Sequence, residues 1–173
     1  MTIHGDHPFV DPEGDRDAAR QFRGRLAGVV SLWTAESSDH RGRAGLTISS
    51  FIVAAGDPAH VLALIDLESD LAAALDDTGR AVVQLLEWGH QQLAEAFAGR
   101  FPSPGGPFRM GEWLDTEWGP RLADAPTWAG VRIDGPTRQV GWLALVDAAI
   151  EHVEVGGDAP ALVHRRGRYE QGS

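Results

Sequence analysis

The sequence predicts a mainly β fold, a barrel decorated with accessory helices, on the basis of three observations. Short β-branched and aromatic runs recur along the chain, 21 Gly and 10 Pro separate them, and only three segments have helical spacing. Many short strands with few helices are typical of closed or half-closed β architectures. At 173 residues the chain is long enough for one substantial domain.

The expected domain covers residues 15–173, preceded by a flexible N-terminal arm over residues 1–14. The arm holds two Pro and two Gly among mixed charges, which is typical of a loosely held terminus. A short amphipathic helix is expected next, over residues 15–27, because Ala18, Phe22 and Leu26 recur at helical spacing.

The remaining elements follow in chain order. Strands are expected over residues 29–35, 46–51, 53–55 and 61–67. Ser69 is a suitable N-cap for an Ala-rich helix that ends at Thr78 and Gly79, and a second helix is expected over residues 91–98. Further strands are expected over residues 81–86, 128–133, 142–148, 150–155 and 162–169. The Pro- and Gly-rich stretch 101–126 between them is expected to be a functional loop.

Composition excludes several classes of function. The 25 acidic residues outnumber 15 basic residues, all of them Arg, and the net charge of −10 makes nucleic acid an improbable partner. The absence of Cys excludes disulfides and thiolate metal sites. His4 and His7 have a spacing compatible with a metal on a helix, but they lie in the Gly- and Pro-rich arm with no further ligands nearby, and His152 with Glu154 would make a poor two-ligand site, so no metal is expected. With no membrane-length apolar run and no signal peptide, we expect a cytoplasmic protein that does not contact a membrane.

The segment over residues 44–51, Ala-Gly-Leu-Thr-Ile-Ser-Ser-Phe, is the best candidate for a binding site. Alternation along a strand places Thr47 and Ser49 on one face and Ile48 and Ser50 on the other. Hydroxyls and free backbone N–H groups at a strand end suit a phosphate or the polar edge of a flat ring. An ordinary edge strand with solvated hydroxyls is the alternative reading of the same pattern.

The order of several segments around this strand supports the binding interpretation. Ala-Gly-Val-Val over 27–30 precedes it, Asp57-Pro58 and Val-Leu-Ala-Leu over 61–64 follow, and later come Ala-Val-Val-Gln-Leu-Leu over 81–86 and Leu-Ala-Glu-Ala-Phe-Ala over 93–98. The chain closes with Ala-Leu-Val-His over 161–164 and Gly-Arg-Tyr over 167–169. This ordered set resembles the flavin-reductase-like family of FMN-binding split β-barrels, from about residue 16 to residue 169.

The resemblance implies a homodimer that binds FMN in a groove near the subunit interface. It places Thr47, Ile48, Ser49 and Ser50 against the flavin, and Gln84 where the family often has Asn. The implied activity transfers hydride from NADH or NADPH to flavin, and the reduced flavin then passes to an oxygenase or another acceptor. No side chain need act as an acid or base, so no catalytic residue is assigned.

Two departures from the family pattern bear on the site. Ser69 keeps the serine of a second phosphate-binding segment, but Asp70 and Leu71 replace the usual basic and hydroxyl residues. Arg100, or alternatively Arg41 and Arg43, is expected to supply the missing positive charge. Val140-Gly141-Trp142 stands where many members have Gly-Asp-His, and we expect Trp142 to stack on the nicotinamide or another substrate. The alternatives are an FMN-dependent oxidoreductase with a different substrate and a non-catalytic flavin-binding dimer.

Overall fold

The computed structural model describes residues 13–39 and 42–173, with side chains from Ala18 onward. The helices are α1 (Glu13–Arg25), α2 (Asp70–Thr78) and α3 (Gln91–Phe97). The strands are β1 (Gly28–Val29), β2 (Ser31–Glu36), β3 (Arg43–Ile48), β4 (Phe51–Ala54), β5 (His60–Asp66), β6 (Arg80–Leu85), β7 (Trp113–Thr116), β8 (Gly119–Leu122), β9 (Trp128–Ile133), β10 (Arg138–Val140), β11 (Leu143–Glu154), β12 (Leu162–Arg165) and β13 (Arg168–Gln171).

Most of the chain is one antiparallel sheet that curls into a half-barrel. Its strands run in the order β3-β2-β6-β9-β11-β5-β4, with β10 paired to β11. A second sheet, β1-β12-β13, joins the two ends of the described chain, and β7-β8 forms a separate hairpin. The expected mainly β fold with accessory helices is confirmed.

Two hydrophobic clusters hold the half-barrel together. In the first, Leu71 and Leu75 of α2 pack over the fully buried Trp33 of β2. In the second, Phe97 of α3 packs with Leu32 and Leu162. Burial of side chains of this size stabilises each by about 1.5–3 kcal/mol relative to exposure, so α2 and α3 are fixed on opposite parts of the sheet.

The local signals for α2 are confirmed. Ser69 precedes the helix with an extended backbone, and its hydroxyl accepts a hydrogen bond from the N–H of Ala72. Gly79 ends the helix in the left-handed region, at a φ of 66°, where a residue without Cβ is favoured. No helix in the described part of the chain is long and apolar enough to cross a bilayer.

Three predictions of secondary structure were wrong. The supposed loop 101–126 contains the hairpin β7-β8, the strands expected over 142–148 and 150–155 are one continuous strand, β11, and the last expected strand is the hairpin β12-β13. β11 stays continuous across a register shift between Ile150 and His152. Of the expected arm, residues 1–12 lie outside the described residues, and α1 already begins at Glu13.

Candidate functional site

An open groove of about 1630 Å³ lies between α1, the small sheet β1-β12-β13 and one edge of the half-barrel. Ser49 and Ser50, between β3 and β4, lie in its wall, and Leu62 and Leu64 of β5 continue that wall. Sites for drug-sized ligands commonly measure about 300–1,000 Å³, so this groove is large enough for a nucleotide.

Gly28 explains how β1 comes so close to Ser49. A Cβ built on Gly28 would lie 2.8 Å from the carbonyl oxygen of Ser49, closer than a real Cβ approaches any such atom. Only glycine therefore permits this contact. It brings β1, which pairs with β12, against the segment predicted to bind the ligand.

The backbone around Ser49 is held from both sides. The hydroxyl of Ser31 donates to the carbonyl of Ile48 over 2.8 Å, and the hydroxyl of Ser50 donates to the carbonyl of Leu64 over 2.9 Å. The N–H of Leu64 donates in turn to the carbonyl of Ser50. A segment fixed in this way presents its polar atoms to a ligand without reorganising.

The expected alternation holds for Thr47, Ile48 and Ser49 but not for Ser50, because β3 ends at Ile48 and Ser50 lines the groove together with Ser49. Thr47 and Ser49 both line a small side cavity of about 70 Å³, whereas the side chain of Ile48 is 3 % exposed and belongs to the core. Thr47 also anchors α3, because its hydroxyl donates to the carbonyl of Ala94 over 2.7 Å. Of Ile48, therefore, only the backbone is available to a ligand.

Arg100, the predicted source of positive charge, lines both the groove and the side cavity. Its guanidinium lies 3.9 Å from the carboxylate of Glu95, which is one turn earlier in the chain. More than half of the Arg100 side chain is exposed, so most of its hydrogen-bonding capacity faces the cavities and solvent.

Ser69 and Gln84, also predicted to contact the ligand, line neither the groove nor the side cavity. The hydroxyl of Ser69 is used at the start of α2, where it also donates to the carbonyl of Asp66. Gln84 is completely buried, and its amide donates to the hydroxyl of Thr34 and accepts from the N–H of Leu122. The structure thus gives Gln84 an internal role, which is to tie hairpin β7-β8 to β2.

Trp142 lies at the rim of the groove rather than in its wall. Its side chain is 59 % exposed, in the turn between β10 and β11, while its neighbours Val140 and Leu143 line the groove. An exposed indole at this position can reach a flat ring only if that ring extends beyond the wall.

The charge of the groove is opposite to that of the chain. Six arginines lie in its wall, and none of the described Asp or Glu residues does, although the chain carries a net charge of −10. These arginines are Arg20, Arg23, Arg25, Arg100, Arg138 and Arg166. Concentrated positive charge in a concave site attracts anionic ligands and increases their rate of association.

His164 and Tyr169, a cross-strand pair of the β12-β13 hairpin, complete the side cavity. Burial, followed by the nearby positive charge of Arg100, lowers the pKa of His164 below its usual 6.5. Burial and the adjacent carboxylate of Glu95 raise the pKa of Tyr169 to about 12. At neutral pH the cavity therefore contains a neutral imidazole and a protonated phenol.

The sequence reading assigned no ligand role to His164 or to five of the six groove arginines. They come from α1, β10 and the β12-β13 hairpin, which are distant in sequence from residues 44–51. The only available signal for His164 was its alternation along a short strand. The alternation did not indicate that His164 faces the side cavity, because a single strand was expected where the chain forms a hairpin.

The half-barrel, its cationic groove and the fixed strand end define a nucleotide-binding split barrel of the flavin reductase type. The model of the family described as flavin reductase like domain matches residues 23–173. The chain belongs to this family, as its sequence indicated, and it is a flavin-reductase-like oxidoreductase.

Comparisons with individual proteins agree with the family. The chain is 35% identical over 156 residues to FMN reductase (NADH) RutF 1 of Methylorubrum extorquens (strain PA1), which covers 90% of this chain and 75% of that one. The NADH:FAD oxidoreductase SgcE6 of Streptomyces globisporus C-1027, solved with NAD and FAD fragments, superposes with a TM-score of 0.80 at 20% identity, over 95% of this chain and 96% of that one. The styrene monooxygenase flavin reductase of Pseudomonas putida S12 gives 0.77 at 22% identity, over 90% and 97%.

Proposed function

We propose that this protein is an FMN reductase that uses NADH and that FMN binds in the groove. The observation that carries the proposal is the cationic lining of that groove in an acidic chain. FMN and NADH are both anionic, and a relative at 35% identity is named as an FMN reductase that uses NADH. NADPH remains a second possible donor because the groove holds enough arginines for one more phosphate.

The residues present fit a flavin nucleotide. The backbone of Thr47–Ser50 ends a strand against the groove, Ser49 and Ser50 offer hydroxyls, and Arg100 offers a cation. When bound, the flavin supplies the capacity to accept hydride. The side chains of this protein hold and orient the ligands and exclude water, so correct placement of donor and acceptor supplies the rate enhancement.

A second copy of the chain is the proposed cover of the groove. The wall includes Leu26, Val29, Ile52, Val53 and Val140, and each of these side chains is at least 38 % exposed in a single chain. Ile52 and Val53 also lie on β4, an edge strand of the large sheet. An apolar surface of this kind on a single chain commonly marks a protein interface, which supports a homodimer.

The proposed acceptor of reduced flavin is an oxygenase. A structural neighbour is the flavin reductase of a styrene monooxygenase, and this supports the proposal. Because NADH is an intracellular metabolite, we propose that the protein works in the cytoplasm. Trp142 is the proposed platform for the nicotinamide, at the rim of the same groove.

The first test is FMN-dependent oxidation of NADH, followed at 340 nm, together with flavin titration of the purified protein. We expect saturable NADH oxidation that depends on added FMN. Flavin binding without NADH oxidation would favour the non-catalytic alternative, and activity with another substrate would favour a different oxidoreductase. A protein that binds no flavin would contradict all three readings.

The matched pair for the proposed donor site is Trp142→Ala and Trp88→Ala. Trp142 lies at the groove rim, whereas Trp88 packs against the hydrophobic cluster under α3. We expect Trp142→Ala to raise the KM for NADH severalfold with little change in the melting temperature, and Trp88→Ala to lower the melting temperature. An unchanged KM for NADH in Trp142→Ala would show that the indole does not contact the hydride donor.

A further inference from the structure

We propose that Arg138, the first residue of β10, binds the pyrophosphate of the nicotinamide dinucleotide and so makes the protein prefer a dinucleotide donor over a bare nicotinamide riboside. The inference rests on the proposed function, because it assigns one side chain of the groove to the proposed hydride donor. It also separates this arginine from Arg100, which is the cation proposed for the flavin.

Strand pairing directs the side chain of Arg138 into the groove. In the β10-β11 hairpin Arg138 is opposite Leu145 and Val140 is opposite Leu143, and all four residues line the groove. Gln139, which lies between the two β10 residues, is absent from the lining. Alternation along β10 therefore presents one face of the strand to the groove, and the guanidinium is on that face.

The same hairpin carries the proposed platform for the nicotinamide. Trp142 lies in the turn that joins Val140 to Leu143. Arg138 is two residues before Val140, which corresponds to about 7 Å along an extended strand. One ribose separates the nicotinamide ring from the pyrophosphate of a dinucleotide. We therefore expect a donor that stacks on Trp142 to bring its pyrophosphate close to Arg138.

The sheet separates Arg138 from the strand end proposed to contact the flavin. The N–H of Leu64 donates to the carbonyl of Ser50, Leu64 is paired with Leu145, and Leu145 is paired in turn with Arg138. Three strand spacings, or about 14 Å of sheet, therefore separate the backbones of Ser50 and Arg138. Arg100 lines the side cavity and Arg138 does not. The two arginines are thus placed to serve different ligands.

The positive charge of Arg138 is not neutralised within the described part of the chain. Its side chain is exposed and forms no ion pair with any described residue. Asp147 lies two residues beyond Leu145 on the same face of β11, but its carboxylate is engaged 2.6 Å from Nδ1 of His60. An unpaired guanidinium on a concave wall is suited to bidentate binding of phosphate oxygens.

The test compares three hydride donors, which are NADH, NADPH and reduced nicotinamide riboside, a donor without phosphate. Initial rates at saturating FMN are measured for the wild type, Arg138→Gln, Arg138→Lys and Arg168→Gln. Arg168 is the matched control, because it is also the exposed first residue of a short strand and lines neither cavity. Fluorescence titration with FMN and melting temperatures report any change in flavin affinity or stability.

We expect the wild type to have a kcat/KM at least about tenfold higher for NADH than for the riboside. Arg138→Gln should raise the KM for both dinucleotides by about tenfold with kcat unchanged, because it removes binding that is equal in the ground and transition states. The KM for the riboside and the FMN affinity should change less than about twofold. Arg138→Lys should keep part of the preference, since it keeps the charge without the planar guanidinium. Arg168→Gln should match the wild type.

Four results would overturn the assignment and leave the proposed function intact. An unchanged KM for NADH in Arg138→Gln would show that the guanidinium does not contact the donor, and an equal rise for the riboside would show that it only shapes the hairpin. A rise confined to NADPH would place Arg138 at the 2′-phosphate, and a loss of FMN affinity would place it at the flavin. A folded wild type that oxidises none of the three donors would overturn the proposed function instead.

Discussion

The groove and the opposite, hairpin-covered surface of the half-barrel use charge in different ways. On the hairpin side, each exposed carboxylate of β11 has defined donors: Glu151 accepts from the indole of Trp118 and from Arg132, and Glu154 accepts from the indole of Trp128. The groove wall gathers six arginines and none of the described acidic residues. The paired charges on the hairpin side stabilise the fold. The unbalanced positive charge of the groove instead favours binding of an anionic ligand.

The largest expected effect lies between the two regions, at Gln84. Gln84→Met leaves the N–H of Leu122 without its acceptor and removes a donor from Thr34, both of which are buried. The unsatisfied N–H of Leu122 costs about 1–3 kcal/mol and the lost bond to Thr34, whose hydroxyl still donates to the carbonyl of Pro120, costs about 0.5–1.5 kcal/mol. We therefore expect the free energy of unfolding to fall by about 2–4 kcal/mol in urea titrations. Flavin affinity of the folded fraction should be unchanged. A loss of flavin affinity without a loss of stability would show that Gln84 does contribute to ligand binding.

A control for Gln84 is available on the surface. Gln139→Met changes an exposed amide that donates to the carbonyl of Gly141. Its expected cost is below about 0.5 kcal/mol. A comparable cost at both positions would show that burial of the amide is not the cause.

The next effect tests how the groove is shaped. Gly28→Val forces a side chain against the carbonyl of Ser49, and overpacking of this kind costs about 1–3 kcal/mol. Because β1 must then move away from Ser49, we also expect FMN affinity to fall at least about tenfold in the same titration. Gly24→Ala is the control, since its Cβ meets nothing within 4 Å and alanine stabilises a helix by about 0.5–1 kcal/mol.

The hairpin side should respond more weakly and without a change in ligand binding. Trp118→Phe keeps a ring against His152 but removes the hydrogen bond from the indole to Glu151. We expect a loss of about 0.5–1.5 kcal/mol in the free energy of unfolding, with FMN affinity within twofold of the wild type. A large loss of FMN affinity would mean that the two regions are coupled.

The smallest expected effect is the dependence of stability on pH. Burial lowers the pKa of His164, and hydrogen bonds from Trp118 and Arg132 lower that of Glu151, so the folded chain binds fewer protons than the unfolded chain at both sites. Stability is therefore fully present above each unfolded pKa and falls with acid, below about 6.5 for His164 and below about 4.5 for Glu151.

Thermal unfolding from pH 8 to pH 4 checks both parts of this profile. His164→Gln should flatten the region between pH 7 and pH 5, and Trp118→Phe should flatten the region near pH 4.5. If His164→Gln left the upper region unchanged, the imidazole would not be the titrating group there.

The sequence predicted those parts of the structure that depend on local signals. Ser69 and Gly79 limit α2 because a cap acts on the nearest turn of the helix. Thr47 and Ser49 were placed on one face by alternation alone, and both do line the side cavity. For residues 44–51, neighbours in the chain were sufficient to predict which side chains share a face.

Prediction failed where the environment depends on distant segments. Gln84 lies in β6, where residues 81–84 are all buried, so no alternation indicated which way the amide points. His164 and Arg138 reach the groove only because β12 pairs with β1 and β10 pairs with β11. Such pairings are not visible in a single sequence.

The register shift in β11 has a consequence for any attempt to edit this strand. Ile150 pairs with Val131 and His152 with Gly130, so Glu151 is an additional residue without a partner of its own on β9. Deleting it would restore a regular ladder but remove the acceptor shared by Trp118 and Arg132. The additional residue in β11, the longest strand, therefore contributes to the fold, because its carboxylate holds Trp118 at the tip of the β7-β8 hairpin. A variant that lacks it would need another hydrogen-bond acceptor for that indole.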